Sequence, residues 1–131
     1  NKDTFSDRIL MLLFHFAFFL REYKNSTDKE YLQKFFDYFF RQIELNLIEI
    51  VYGDFSINKK MKDYINIFYS ILDKINNWNK LENEKKGEIL AFYYKLNDNH
   101  HKIVTYFNNF EIYLSKIPLK SFTKSVINHK F

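Results

Sequence analysis

Hydrophobic residues recur every three or four positions along most of the chain, which is the spacing that gathers side chains on one face of an α-helix. The clearest stripe follows the capping-box sequence Thr27-Asp28-Lys29-Glu30, whose Thr and Glu side chains satisfy free backbone amides at a helix start. This stripe predicts a long second helix with one side facing the core. Its members are Leu32, Phe35, Phe36, Phe39, Ile43, Leu47, Ile50 and Val51.

A third helix is predicted over about 57–77, because apolar residues keep the same spacing between Ile57 and Ile75. The corner before it has Gly53 where a helix end favours a left-handed residue, and Asp54 is suited to cap the next helix. We therefore expect helices two and three to be joined by a tight turn and to pack on each other.

The last third of the chain predicts two more helices, over about 85–97 and about 100–116. Pro118 suits the first turn of a short terminal helix. The polar stretch between the third and fourth helices is predicted to be the main loop, with Trp78 folded back onto the body of the protein.

The N-terminal segment differs because it is apolar on every side from Ile9 to Leu20, which is typical of a helix surrounded by others. Thr4 suits the N-cap of this helix, predicted over about 5–24. The run is shorter than the roughly 20 apolar residues of a membrane span, and no small-residue cleavage site of a signal peptide follows it. Because the chain starts at Asn1 with helix-start chemistry, we expect upstream residues to be missing.

Composition narrows the fold further. The 131 residues are 47% hydrophobic and 21% aromatic, which suits one ordered domain over 1–131 and excludes disorder. Two Gly and one Pro are too few for the turns of a β-sandwich or barrel, and the absence of Cys excludes disulfides and thiolate metal sites. The sequence predicts an all-α compact bundle of five to six helices around a central N-terminal helix.

Enzyme motifs are missing from the sequence. It contains no nucleotide-binding Gly-rich loop, no GxSxG and no HExxH, so we predict no catalytic residue, no cofactor and no small-molecule substrate. His100 and His101 are adjacent and would point about 100° apart on a helix, which does not suit a shared metal. His15 is interpreted as a core imidazole that is hydrogen-bonded to a neighbour.

Charged residues suggest ion pairs and one candidate surface. Asp37, Glu44 and Glu49 are expected on the polar side of helix two, where Arg41 could pair with them. The net charge is +4, and a cluster of lysines and aromatic residues begins helix three. It is either a solvated face or a binding patch for RNA, acidic lipid or an acidic partner. Its members are Tyr52, Phe55, Lys59, Lys60 and Lys62.

Two stretches resemble the ubiquinol–cytochrome c chaperone family. Asp3 to Arg8, with His15 seven residues after the Arg and Arg21 later, is similar to the family's opening segment. Phe35 to Lys62 is similar to its second series, which ends in a basic run. The resemblance covers about residues 3–75. Positions that match the family pattern and are expected to be structural are Asp3, Thr4, Arg8, His15, Arg21, Asp37, Glu49, Gly53 and Asp54.

The resemblance implies an all-α, non-catalytic assembly chaperone that binds newly made cytochrome b and supports biogenesis of the cytochrome bc1 complex (complex III). It also implies that the protein acts together with a small helical assembly partner, near a ribosomal exit tunnel or an inner-membrane surface. The compartment would be the mitochondrial matrix, or the cytoplasm of an alphaproteobacterium.

We expect an apolar groove between helices one, two and three to cover part of the client, because helix two has more apolar surface than one stripe requires. The expected client or partner contacts are Phe36, Phe40, Tyr52, Phe55, Lys59, Lys60 and Lys62. Two alternatives remain: a helical interaction subunit, perhaps ribosome-associated, without client-folding activity, and an enzyme with an unfamiliar helical active site.

Overall fold

The computed structural model describes residues 4–25, 28–50, 54–94, 100–119 and 121, apart from the side chains of residues 4–6, 50, 54 and 55. Within these residues the chain forms five α-helices and no strand, which confirms the predicted all-α bundle. The helices are α1 (Thr4–Tyr23), α2 (Lys29–Ile50), α3 (Asp54–Lys74), α4 (Asn83–Tyr93) and α5 (His100–Ser115), with a 3₁₀ turn at Trp78–Lys80. None of these helices is long and apolar enough to cross a membrane.

α1 packs against α2, α3 and α5, while α2 packs on α3 and α4 packs on α5. The aromatic side chains of α1 point in two directions. Phe16 stacks on Phe39 with ring centroids 4.4 Å apart and on Phe68 at 5.3 Å, which joins α1 to α2 and α3. Phe18 stacks on Phe107 of α5 at 4.9 Å. These two buried faces explain why α1 is apolar on most sides.

A third face of α1 differs from the expectation of a helix that is buried all round. Leu12 is 45% exposed, and the adjacent Met11 is only partly buried. Because Leu12 is accessible, the described helices leave this face of α1 uncovered. α1 therefore has an apolar surface as well as a buried core.

Trp78 connects the C-terminal third of the chain to the core, as predicted. Its side chain is 1% exposed and meets Phe18 edge-on at 5.0 Å, and its indole N–H donates to Asn108 Oδ1 at 2.9 Å. Lys86 donates to the same oxygen at 2.8 Å. The predicted loop is consequently a short, ordered connection between α3 and α4.

Helix ends differ from the predictions by a few residues. α3 begins at Asp54, three residues before the start predicted from the apolar spacing. α4 spans 83–93 instead of 85–97, and its backbone turns extended at Tyr94. The predicted caps at Thr27 and Gly53, and most of the helix expected after Pro118, lie outside the described residues.

Candidate functional site

The face of α1 that carries the exposed Leu12 forms the floor of an apolar groove between α2 and α5. The cavity measures about 320 Å³, and nearly all of its accessible surface is carbon. The apolar groove, as this surface is called below, is lined by Leu12, His15, Phe16, Phe19, Phe35, Tyr38, Phe39 and Phe110.

The apolar groove continues toward the start of α1. A neighbouring depression is lined by Arg8 and Met11 and shares Leu12 and His15 with the groove. Because a helix rises 1.5 Å per residue, the floor from Arg8 to Phe19 is about 16 Å long. This length suits about three turns of a second helix lying along the groove.

α5 contributes Phe110 to the wall of the groove, and two exposed tyrosines of the same helix adjoin Phe110. Tyr106, Phe110 and Tyr113 follow one another at four- and three-residue spacing, and their rings stack in sequence with centroids 6.3 and 6.4 Å apart. Tyr106 is 48% exposed and Tyr113 is 55% exposed. Such flat aromatic side chains offer contact area while losing little conformational entropy on binding.

His15 gives the groove floor one polar position. Its Nδ1 lies 2.7 Å from the carbonyl oxygen of Met11, and its Nε2 contacts the Tyr106 hydroxyl. Because a carbonyl oxygen only accepts, Nδ1 of a neutral ring donates, and Nε2 accepts the hydroxyl hydrogen of Tyr106. The predicted hydrogen-bonded imidazole is confirmed, although the ring is half-buried in the groove rather than enclosed in the core.

A second groove lies between α1, α2 and α3, where the sequence analysis expected the client site. It measures about 330 Å³, and lysines lie at its edge. We call it the basic groove; its lining is Leu20, Lys24, Lys29, Leu32, Gln33, Phe36 and Tyr69.

Of the predicted contact residues, Phe36 lines the basic groove and is half-buried. Phe40 is wrong as a surface contact: it is 5% exposed because its ring packs against Phe36 and Phe68 in the core. Lys59, Lys60 and Lys62 are exposed on the first half of α3.

The aromatic residues of the predicted basic cluster fall outside the described side chains. Tyr52 lies outside the described residues, and the side chain of Phe55 is not described although its backbone is helical. The two grooves therefore share no described residue with the three lysines of α3.

Arg21, one of the positions matching the family pattern, connects the end of α1 to the segment after α3 and to α5. Its guanidinium donates to Asn79 Oδ1 at 2.8 Å and to the Asn76 carbonyl oxygen at 3.3 Å, and it lies 3.8 Å from a carboxylate oxygen of Glu111. Burial raises the pKa of the neighbouring Glu22 carboxyl, the Glu111 carboxylate raises it further, and Arg21 opposes both. This polar cluster has a structural role at the end of α1.

The other pattern positions are mostly on the surface. Arg8 borders the apolar groove, and Glu49 is exposed. Asp37 accepts from Gln33 Nε2 at 2.9 Å, whereas the predicted partner Arg41 pairs with Glu44 at 2.6 Å. Asp3 and Gly53 lie outside the described residues, and the side chains of Thr4 and Asp54 are not described.

Sequence reasoning missed Leu12, Tyr106 and Tyr113. Leu12 was assigned to a buried helix because its neighbours are apolar on all sides. The signal for the other two was the second stripe of α5, at positions 106, 110 and 113, which lies beside the core stripe of that helix.

The model of the family described as ubiquinol–cytochrome c chaperone matches residues 1–77, which is more than half of the 131 residues. The chain belongs to this family. The matched region includes α1, α2 and α3, and thus the floor and one wall of the apolar groove, while the wall formed by α5 lies beyond it. No curated protein and no solved structure matches the chain. Membership of the family indicates a chaperone role in assembly of the cytochrome bc1 complex.

Proposed function

We propose that the apolar groove binds a hydrophobic helical segment of newly made cytochrome b and shields it until the segment enters the bc1 complex. The observation that carries the proposal is a groove lined by carbon on a member of a chaperone family. The protein would act by binding alone, without a catalytic step, a cofactor or a small-molecule substrate.

The dimensions of the groove support a helix as the occupant. Together with the adjoining depression at Arg8, its floor accommodates about three helical turns, and aromatic side chains from α2 and α5 lie on either side. Each aliphatic client side chain that leaves water contributes roughly 1.5–3 kcal/mol, so three or four of them give useful affinity after the cost of association. A short, open groove also permits release, which a chaperone needs.

Membership of the family also supports a proposal about where the protein acts. We propose that the whole of 1–131 acts as one domain beside a small helical assembly partner, in the mitochondrial matrix or a bacterial cytoplasm and close to the inner membrane. The exposed Lys59, Lys60 and Lys62 favour proximity to an anionic surface such as a ribosome or a lipid headgroup layer.

These lysines also support a second candidate, a ribosome-associated interaction subunit that binds no client. The two functions differ in their dependence on cytochrome b. The second predicts stable co-sedimentation with ribosomes when cytochrome b synthesis is absent, and a groove that tolerates substitution.

Leu12→Glu tests the first function directly. Leu12 is 45% exposed in the groove floor, whereas Ile48 is 46% exposed on α2 and lines neither groove, so Ile48→Glu is a matched control. We expect Leu12→Glu to weaken binding of a synthetic cytochrome b transmembrane helix by about ten-fold or more, because a carboxylate would have to be desolvated against carbon. Ile48→Glu should bind like the wild type.

Both variants should keep the helical circular dichroism of the wild type, since both positions are exposed. Equal binding by Leu12→Glu and Ile48→Glu, measured by fluorescence anisotropy of the labelled helix in mild detergent, would remove the groove from the mechanism.

A further inference from the structure

We propose that the basic groove is a second docking site, for an amphipathic helix of a protein partner that presents an apolar anchor side chain flanked by carboxylates. The site lies on the other side of the first half of α2 from the apolar groove, and the two share no lining residue. The inference is therefore independent of whether the apolar groove binds a client.

The apolar part of the site is a pocket for one or two anchor side chains. Leu32 is buried at its base, and Tyr69, 53% exposed, borders it. The Tyr69 ring stacks on Phe36 with centroids 6.3 Å apart and meets the fully buried Phe68 edge-on at 5.6 Å. Tyr69 is thus held in place by the core before a partner arrives, which lowers the entropy lost on binding.

The charged part of the site selects the partner. Among the described residues that line the groove, two are lysines and none carries a carboxylate. Lys24 donates to Asn76 Oδ1 at 2.7 Å, which fixes its position while leaving two of its three N–H donors available. Lys29, the first residue of α2, also lines the groove and is exposed. Carboxylates on both flanks of an anchor side chain would complement this pair.

Positive charge continues from the groove along α3. Lys59 lies ten residues before Tyr69 and Lys62 lies seven residues before it, which is about three and two helical turns. All three residues therefore lie on one face of α3. Asp63 is the single acidic residue between positions 56 and 72. The surface is elongated, with lysines up to about 15 Å from the anchor pocket, which fits an extended acidic helix better than a compact anion.

The geometry favours a protein partner over a nucleic acid or a membrane. Bases stack on open aromatic faces, and one face of the Tyr69 ring is already occupied by Phe36, so the described residues of the groove offer no series of open rings for successive bases. A bilayer surface is broad and cannot enter a depression of about 330 Å³ between three helices. A single side chain on a helix can enter it.

The probe is a fluorescein-labelled amphipathic helix of about 18 residues, or five turns, with Leu and Phe on one face and Glu beside them, compared with a version in which Gln replaces every Glu. We expect the Glu peptide to bind about ten-fold more tightly than the Gln peptide, with a difference that shrinks at high salt. Fluorescence anisotropy measures both.

Lys29→Glu and Tyr69→Ala should each weaken binding of the Glu peptide by about ten-fold. Lys34→Glu is the matched control, because Lys34 is exposed on the same helix and lines neither groove, and it should leave binding unchanged. Lys29→Glu places a carboxylate in the first turn of α2, where it is favourable, so this variant should fold.

Several results would overturn the proposal. They are no saturable binding of the Glu peptide, equal affinity for the Gln peptide, or an equal effect of Lys34→Glu and Lys29→Glu. Loss of binding in Leu12→Glu would place the peptide in the apolar groove instead. Tighter, Lys29-dependent binding of anionic lipid vesicles or of polyuridylate would assign the site to a membrane or to RNA.

Discussion

Asn108 should be one of the most sensitive polar residues in the protein. Its Oδ1 accepts two hydrogen bonds, from the indole N–H of Trp78 at 2.9 Å and from the ammonium of Lys86 at 2.8 Å. Trp78 is 1% exposed and Lys86 is 8% exposed. Asn108→Ala removes the acceptor and leaves both donors without this partner in a partly buried position.

The expected cost follows from these two donors. A buried donor left unpaired costs about 1–3 kcal/mol, and a hydrogen bond to a charged group contributes about 1.5–3 kcal/mol. Lys86 can recover part of the loss by reaching solvent. We therefore expect the free energy of unfolding to fall by about 2–4 kcal/mol, against a total of very roughly 7–20 kcal/mol for a chain of this length.

Asn109→Ala is the control, because Asn109 is the next residue of α5 and is exposed. Both substitutions raise the helix propensity by the same amount, so the difference between them isolates the contacts of Asn108. Urea unfolding followed by circular dichroism should show a midpoint about 1–2 M lower for Asn108→Ala than for Asn109→Ala. Midpoints that agree within error would refute the role assigned to this contact.

Two further predictions concern α4 and the residue that follows it. A Cβ added at Gly87 would lie 2.9 Å from Cδ2 of His100. Gly87→Ala should therefore stabilise the protein by about 1 kcal/mol in a His100→Ala background, and by clearly less in the background that keeps His100. Equal gains in the two backgrounds, measured by urea unfolding, would contradict the contact. The Tyr94 hydroxyl is buried without a hydrogen-bond partner among the described residues, so Tyr94→Phe should stabilise the protein by about 1 kcal/mol at pH 7. Burial raises the pKa of Tyr94 above the ordinary value of 10.0, so the folded state keeps a proton that the unfolded state loses, and the wild type should lose stability above about pH 10 more steeply than Tyr94→Phe.

Much of the fold could be predicted because helix periodicity is local. The stripes of α2 and α3 depend on spacing along one segment, and the buried Trp78 follows from a large apolar side chain in a polar stretch. The family assignment needed only residue order, and it is confirmed by the match over 1–77.

The candidate site was harder because it depends on which helices are neighbours. Phe40 and Phe39 are adjacent in an aromatic run, yet Phe40 packs into the core while Phe39 lines the apolar groove. The wall from α5 requires Phe110 to lie beside α1, a contact between residues almost one hundred positions apart. Periodicity gives the faces of each helix but not the order in which the helices pack.

The central claim is that an apolar client segment lies against the exposed face of α1. Site-specific photocrosslinking tests it most directly, with a benzophenone amino acid at position 12 or at position 48 in organelles or cells that are synthesising cytochrome b. We predict a crosslink to nascent cytochrome b from position 12 and none from position 48. Crosslinks from position 48 alone, or none from position 12 while cytochrome b co-purifies with the protein, would contradict the account.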